Sequence, residues 1–326
     1  MLAGGGWDLV TTASTDCLIV QPIALPGIDL LRGAGLVVHE ASSTDIAALA
    51  PHLSTARAVI TRNHGLSGEA IAAAPALRVI AAHGTGTDRI DHDAAASRGI
   101  TVVNTPGTNA QSVAEHALGL IFACARSIPA ADFAVRGDDW SFRDRPGPVE
   151  LSGRILGLIG FGRVARALVP MALGVGMRVV AVSDYATQGD MAALGVEFLS
   201  DADDLLAQSD VVSLHGVPGR APVLDAVRLA AMKPGAILVN TARGALLEEA
   251  ALTDALTSGH LRAAALDAFA EEPLSAESAL LAVPNLILTP HMGGASPEAQ
   301  DRTSLAVARA VLEALDLSLP LRCAAP

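Results

Sequence analysis

From residue 18 onward, short continuous apolar runs alternate with stretches in which apolar positions recur every three or four residues. The runs at 18–20, 36–38, 58–60, 79–82 and 101–103 have the length and continuity of strands buried on both faces. Segments 45–50 and 66–74 between them carry helical spacing. Such alternation predicts successive βαβ units and a parallel sheet covered on both sides. Asn104, Thr105, Pro106 and Gly107 break the pattern, because proline pushes its predecessor away from helix, and a hinge is expected there. A long helix over 110–126 follows, then a Pro/Gly-rich loop around Arg145, Pro146, Gly147 and Pro148. A second series of strands is expected at 155–159, 179–182, 211–214, 237–239, 263–266 and 286–288. A closing helix, about 298–314, leaves too little chain for a third domain and is expected to pack back on the first. The expected domains are therefore 1–104 with 295–326, and 105–294.

With 326 residues, two domains and a cleft between them are expected. Half the chain is apolar, yet polar residues interrupt every run before the ~18 residues that span a membrane. A formal charge of -12 disfavours nucleic acid, whose phosphates need a dense cationic face. The first sixteen residues have no basic start followed by an apolar block, so no secretory signal is expected and the cytoplasm is the expected location. Cys17, Cys124 and Cys323 lie too far apart for a CxxC metal or redox pair, so they read as packing residues and no metal is expected. The single lysine, Lys233, stands between Met232 and Pro234 in a turn, which argues against Schiff-base and phosphate-loop chemistry.

The apolar strand at 155–159 runs straight into Gly160, Phe161, Gly162, Arg163, Val164 and Ala165, followed by a helical run. Gly160 permits a tight turn, Gly162 lets backbone approach a pyrophosphate, and Ala165 lets helix pack on strand. The helix N-terminus then offers unpaired N–H groups and a partial positive charge to the diphosphate. The next strand ends at Ser183 and Asp184, where an acidic group binds an adenosine ribose and repels a 2′-phosphate. This favours NAD as cofactor, with Asp184 as the ribose ligand.

In a doubly wound sheet, ligands collect outside the carboxyl ends of the strands. Three polar residues follow three strand ends here: Arg243 after 237–239, Glu272 after 263–266 and His291 after 286–288. A guanidinium grips a carboxylate with paired N–H groups and polarises the neighbouring carbonyl, which suits Arg243. An imidazole titrates near working pH and exchanges the alcohol proton as hydride leaves or arrives, which suits His291 with Glu272 behind it.

These segments resemble the D-isomer-specific 2-hydroxyacid dehydrogenases, the family of phosphoglycerate, hydroxypyruvate, glyoxylate and D-lactate dehydrogenases. The likeness is carried by GFGRVA at 160–165, NTARG at 240–244, LDAF at 266–269 with Glu272-Pro273, and TPHMGG at 289–294. It implies an α/β fold with a Rossmann-type NAD-binding domain and a discontinuous, flavodoxin-like substrate domain. It implies hydride transfer between NAD(H) and C2 of a small D-2-hydroxy or 2-oxo acid, with Arg243, Glu272 and His291 catalytic. The cofactor contacts it implies are Gly160, Phe161, Gly162, Arg163, Val164, Ser183, Asp184, His215, Pro218, Thr241, Ala242, Asp267, His291 and Gly293, with Asp267 holding the nicotinamide carboxamide. For substrate it implies Arg243 with the loop of His83, Gly84, Thr85 and Gly86, whose amides meet the carboxylate; apart from the resemblance, Arg62 is a further candidate, a positive charge suited to a phosphate or second carboxylate or else part of a surface pair. A homodimer built through the long helix is the implied assembly, and His116 in that helix, the competitor to His291, is expected to be structural.

The sequence departs from the family pattern at two places. Aligned without gaps from Gly160, the family's ribose aspartate falls on Ser183, with Asp184 one position late, so NADP stays open. After Leu214-His215 the family has one residue and then proline, whereas this chain reads Gly216, Val217, Pro218. Two rival activities share the fold: formate dehydrogenation, and an NAD-sensing corepressor scaffold.

Overall fold

The computed structural model describes residues 15–145 and 147–317. Residues 1–14, in which no secretory signal is expected, and Pro146 and Cys323 lie outside these described residues. The chain divides into two compact units, one running to Asn109 and resuming at Pro297, the other spanning Ala110–Ser296.

The first unit alternates β1 (Cys17–Ile19), α1 (Leu25–Gly33), β2 (Val38–Glu40), α2 (Ile46–Leu53), β3 (Ala58–Thr61), α3 (Gly68–Ala72), β4 (Val79–Ala82), α4 (His92–Ser97) and β5 (Thr101–Asn104). The strands form one sheet in the order β2-β1-β3-β4-β5, with every pairing parallel. Alternate residues supply the two faces. Leu18, Val59 and Ile80 join one apolar cluster with Leu49, Leu53 and Ile71. Cys17, Ile19, Ala58 and Ile60 join another with Ile28 and Leu31. Both faces are thus covered, as continuous apolar runs require. The second strand lies two residues beyond its expected place. Leu36 is buried beneath the sheet in the same cluster as Leu31, while Val38 is the residue that pairs with Cys17. The apolar run therefore marks burial, and the register with β1 decides where the strand starts.

The second unit contains α5 (Ala110–Ala125), α6 (Ile128–Arg136), a short 3-10 turn (Trp140–Asp144), β6 (Ile155–Ile159), α7 (Arg163–Gly174), β7 (Arg178–Val182), α8 (Gln188–Ala192), β8 (Glu197–Phe198), α9 (Ala202–Gln208), β9 (Val211–Leu214), α10 (Ala226–Ala231), β10 (Ile237–Asn240), α11 (Glu249–Thr257), β11 (Ala263–Leu266) and β12 (Leu286–Leu288). Its seven strands run β12-β11-β10-β9-β6-β7-β8, all pairings again parallel. The chain winds outward from β6 to β8, then crosses to β9 on the other side, so the strand order reverses between β6 and β9. This is the dinucleotide-binding topology, with its ligand position at that reversal. Helix α5 packs against α7, β10 and β11, burying Ala114, Ala117, Ile121 and Ala125. The pattern missed β8, a two-residue edge strand containing Glu197, and α6, in a stretch to which no element was assigned.

The last helix, α12 (Pro297–Ala314), buries Ala299, Thr303, Ser304, Val307, Ala308, Val311 and Leu312, a single stripe at helical spacing. It packs on α1, as expected of a closing helix that returns to the first unit. The crossing is so close that a β-carbon on Gly27 would lie 2.3 Å from the Ser304 carbonyl oxygen. The segment after β5 stays with this unit instead of ending it at 104. Thr105 donates its amide to the Gly84 carbonyl (2.8 Å), and Arg302 Nε donates to the Thr108 carbonyl (3.0 Å). Thr108 and Thr303 join hydroxyl to hydroxyl at 2.8 Å.

No single helix among the described residues is long and apolar enough to cross a membrane; α5 and α6 pass such a test only as a pair, bent by 58°. Cys17 and Cys124 are buried, and burial pushes each thiol up to about 12, as packing residues require.

Candidate active site

The glycine turn after β6 has the geometry a pyrophosphate needs. Gly160 has φ of +93°, and a β-carbon there would lie 2.6 Å from the Gly216 nitrogen and 2.7 Å from the His215 carbonyl. Two strand ends thus meet at Gly160 at the point where the strand order reverses. Gly162 caps α7, and a β-carbon on it meets nothing within 4 Å, so this side of the turn is open for a ligand. Arg163 and Val164 form the first turn of α7, whose amides point toward the N-terminal end of the helix. Phe161 and Ala165 are buried beneath, and the Arg166 guanidinium lies 5.0 Å over the Phe161 ring.

Around that turn the other expected cofactor contacts are placed by strand ends. His215 follows β9, with its Nε2 2.9 Å from Ser213 Oγ. Burial pushes its imidazole down to about 4, so it is neutral at pH 7 and adds no charge beside a diphosphate. Thr241 follows β10, and its hydroxyl oxygen is buried without a protein partner. An orphaned buried hydroxyl calls for a ligand atom, and with the open face of Gly162 it makes the site fit a dinucleotide. Ala242 is half-buried beside it and Pro218 lies in the loop after β9. After β7, Ser183 Oγ accepts the amides of Tyr185 (3.2 Å) and Ala186 (3.1 Å). Its oxygen thus accepts within its own turn, while Asp184 is exposed.

The three catalytic candidates lie at the ends of β10, β11 and β12. Glu272 holds His291 directly: Nδ1 of His291 is 3.0 Å from Oε1 and 2.9 Å from Oε2. Glu272 Oε1 also accepts the Phe269 amide at 3.0 Å, which ties the carboxylate to its own loop. Arg243 lies in a loop shaped by the fully buried Asn240, whose side chain donates to the Arg243 carbonyl (2.8 Å) and accepts the Ala242 amide (3.0 Å). The following Gly244 locks this loop onto the Glu272 loop, since a β-carbon there would fall 1.9 Å from the Phe269 carbonyl carbon. One glycine therefore couples the guanidinium loop to the carboxylate loop.

Asp267, expected at the nicotinamide carboxamide, is 2% exposed and is occupied by the protein itself. It accepts the Thr289 hydroxyl (2.6 Å) and the amides of Met292 (2.9 Å) and Gly293 (2.8 Å). His116 Nε2 stands 3.4 Å from Asp267 and 3.2 Å from the Thr289 hydroxyl. Burial raises the Asp267 carboxyl, but these hydrogen bonds outweigh it and hold the group below the usual carboxylate range. His116 faces this cluster, while Glu272 is hydrogen-bonded to His291.

In the first unit the expected substrate residues follow the ends of β3 and β4. Arg62 donates Nη1 to the Pro22 carbonyl (2.9 Å), and burial lowers its guanidinium from the ordinary value. His83 is 9% exposed with Nε2 buried and unpartnered; burial, helped by the Arg62 charge, pushes it down to about 4. Gly84 has φ of +145°, and its amide already meets Thr105 Oγ1 (2.9 Å) and the Ala82 carbonyl. The expected loop donor Gly84 is therefore engaged internally by the turn that follows β5, whereas Thr85 and Gly86 lie beyond that turn. Gln21, after β1, escaped the sequence reading; its Oε1 accepts the amides of Arg62 (3.1 Å) and His64 (2.8 Å). Looking for polar residues just past strand ends, the rule that selects Arg243, would have found it. Lys233 lies at the opposite end of the second sheet, paired with Asp210 at 2.7 Å.

Residues 118–293 match the family model for the D-isomer specific 2-hydroxyacid dehydrogenase NAD binding domain. The D-3-phosphoglycerate dehydrogenase of Mycobacterium tuberculosis is 44% identical over 252 residues, covering 77% of this chain and 47% of that protein. The chain thus spans about half the length of such relatives. The hydroxypyruvate reductase of Thermotoga maritima is 38% identical over 257 residues, covering 77% of this chain and 82% of the relative. Among solved structures, the TT0316 protein from Thermus thermophilus superimposes with a TM-score of 0.83 at 35% identity, over 94% of this chain and 99% of that one. A match over more than half the chain, on the unit that carries the glycine turn and the His291–Glu272 pair, leaves one conclusion: the chain belongs to the D-isomer-specific 2-hydroxyacid dehydrogenase family.

Proposed function

We propose that this protein is an NAD-dependent dehydrogenase that interconverts a small D-2-hydroxy acid and its 2-oxo acid. The observation that carries the reading is His291 Nδ1 held against both oxygens of Glu272. A carboxylate only accepts, so the hydrogen of this bond sits on Nδ1 and Nε2 is left to take the alcohol proton or return it. The carboxylate also stabilises the imidazolium that forms when Nε2 receives the proton. Arg243 binds the acid group with paired N–H donors and polarises the carbonyl. The nicotinamide, when bound, supplies or accepts the hydride at C2. Formate oxidation has no carbonyl oxygen to protonate, so the Glu272–His291 pair suits the hydroxyacid reaction better.

For the first unit, Arg62, His83 and the amides of Thr85 and Gly86 are the proposed substrate contacts, a reading supported by the orphaned His83 Nε2. NAD is preferred over NADP because the exposed Asp184 carboxylate after β7 can accept from a ribose hydroxyl and repels a 2′-phosphate. The proposed assembly is a homodimer. Ile128, Phe133 and Val135 of α6 and Trp140 beside it are 52%, 80%, 51% and 65% exposed, an apolar surface that a second copy would cover. Two buried free cysteines suit the reducing cytoplasm.

The test follows the absorbance of NADH, then NADPH, with glyoxylate, hydroxypyruvate, pyruvate and phosphohydroxypyruvate. Loss of signal with at least one acid, faster with NADH, is expected. Binding of NADH without turnover of any 2-oxo acid would count against the reading.

A further inference from the structure

His291 occupies a backbone conformation that side chains disfavour, with φ of +51°. Something must hold it there, and the neighbouring contacts converge on one group. Before His291, the Thr289 hydroxyl donates to Asp267 Oδ1 at 2.6 Å. After it, the Met292 amide donates to the same oxygen at 2.9 Å and the Gly293 amide to Oδ2 at 2.8 Å. The Gly293 carbonyl is in turn held by Ser112 Oγ of α5 at 2.6 Å. Gly293 has to be small for this closure, because a β-carbon on it would stand 3.0 Å from Asp267 Oδ2 and 3.4 Å from the His116 ring.

We infer that Asp267 is a positioning residue: a buried carboxylate that clamps the chain on both sides of His291 and thereby aims the imidazole. The inference rests on the dehydrogenase reading for its catalytic consequence, though the clamp itself is a property of the fold. Glu272 fixes the ring through Nδ1, and Asp267 fixes the backbone from which the ring projects. An amide at position 267 cannot do the same work, since its NH2 would face an N–H donor where Oδ2 or Oδ1 now accepts. Donors left without an acceptor in a buried loop move toward water, and the left-handed turn relaxes with them.

Amide hydrogen exchange at Met292 and Gly293, read by NMR on the whole protein, is compared for wild type, Asp267→Asn, Thr289→Val and Thr289→Ser. Losing a hydrogen bond to a charged acceptor should speed exchange about 10-fold or more in Asp267→Asn and Thr289→Val, with Thr289→Ser close to wild type. In parallel, kcat at saturating NADH should fall about 10- to 100-fold in Asp267→Asn and fall likewise in Thr289→Val, with Thr289→Ser close to wild type. Unchanged protection of both amides in Asp267→Asn and Thr289→Val would overturn the clamp. So would a kcat preserved at saturating NADH in both Asp267→Asn and Thr289→Val. If Asp267→Asn does not fold, the Thr289 pair decides the matter. A wild-type protein that turns over no acid sinks the dehydrogenase reading while the exchange data still judge the clamp.

Discussion

Replacing His291 by alanine removes the imidazole that Glu272 holds through both carboxylate oxygens. Loss of a positioned acid/base costs typically 10²–10⁴-fold, so kcat should fall by about that much while NADH binding, measured by fluorescence, persists. Glu272→Gln keeps the shape but loses the ionic acceptor, and kcat should drop roughly 10- to 100-fold. Residue-level chemistry also sets acid sensitivity. His83 has a folded pKa of about 4, below its unfolded value, so between these values the unfolded chain binds the proton that the folded chain refuses. Stability therefore falls as pH drops below about 6.5, and this group alone contributes on the order of 3 kcal/mol of loss by pH 4. His83→Gln should flatten that part of the melting-temperature profile; an unchanged slope would contradict the burial argument. The places of Arg243, Glu272 and His291, the proposed catalytic residues, were legible from the sequence because each follows an apolar run, and a strand end is recognisable by where such a run stops. The contacts of Asp267 with Thr289, Met292 and Gly293 and those of Gln21 with Arg62 and His64 were not legible, because hydrogen bonding between distant loops leaves no periodic trace.

At the level of elements, the glycine turn makes two opposite predictions from positions two residues apart. Gly160→Ala places a methyl 2.6–2.7 Å from the backbone of His215 and Gly216 at φ of +93°, so the protein should lose stability. The left-handed conformation alone costs about 1–2 kcal/mol, to which the collision adds. Gly162→Ala meets nothing within 4 Å, so the melting temperature should hold while the NADH Kd rises about tenfold as the methyl occupies the ligand's side of the turn. Equal effects on folding for the two variants would mean that the open face is misplaced. Strands β6, β9 and β11 lie where the apolar runs put them, since burial on both sides writes a continuous signal. Elements that depend on register or edges were harder to read: β2 is set by pairing with β1, and β8 is two residues long with a glutamate in it.

At the scale of the whole molecule, two sheet orders distinguish units whose strands look alike in sequence. The five-stranded order and the seven-stranded order both follow from parallel winding, but only the second has the glycine turn at its reversal point. The exposed apolar surface of α6 and its neighbour predicts that Phe133→Asp with Trp140→Asp yields a monomer by light scattering, whereas wild type is a dimer; a monomeric wild type would remove the proposed assembly. The central claim is that this chain moves a hydride between NAD and a 2-oxo acid with His291 handling the proton. Stopped-flow oxidation of bound NADH, with the best acceptor found, is the most direct measurement, run on wild type and His291→Ala side by side. The account predicts rapid oxidation in wild type and a rate about 10²–10⁴-fold slower in the variant at equal NADH occupancy. Equal rates in the two proteins would contradict it.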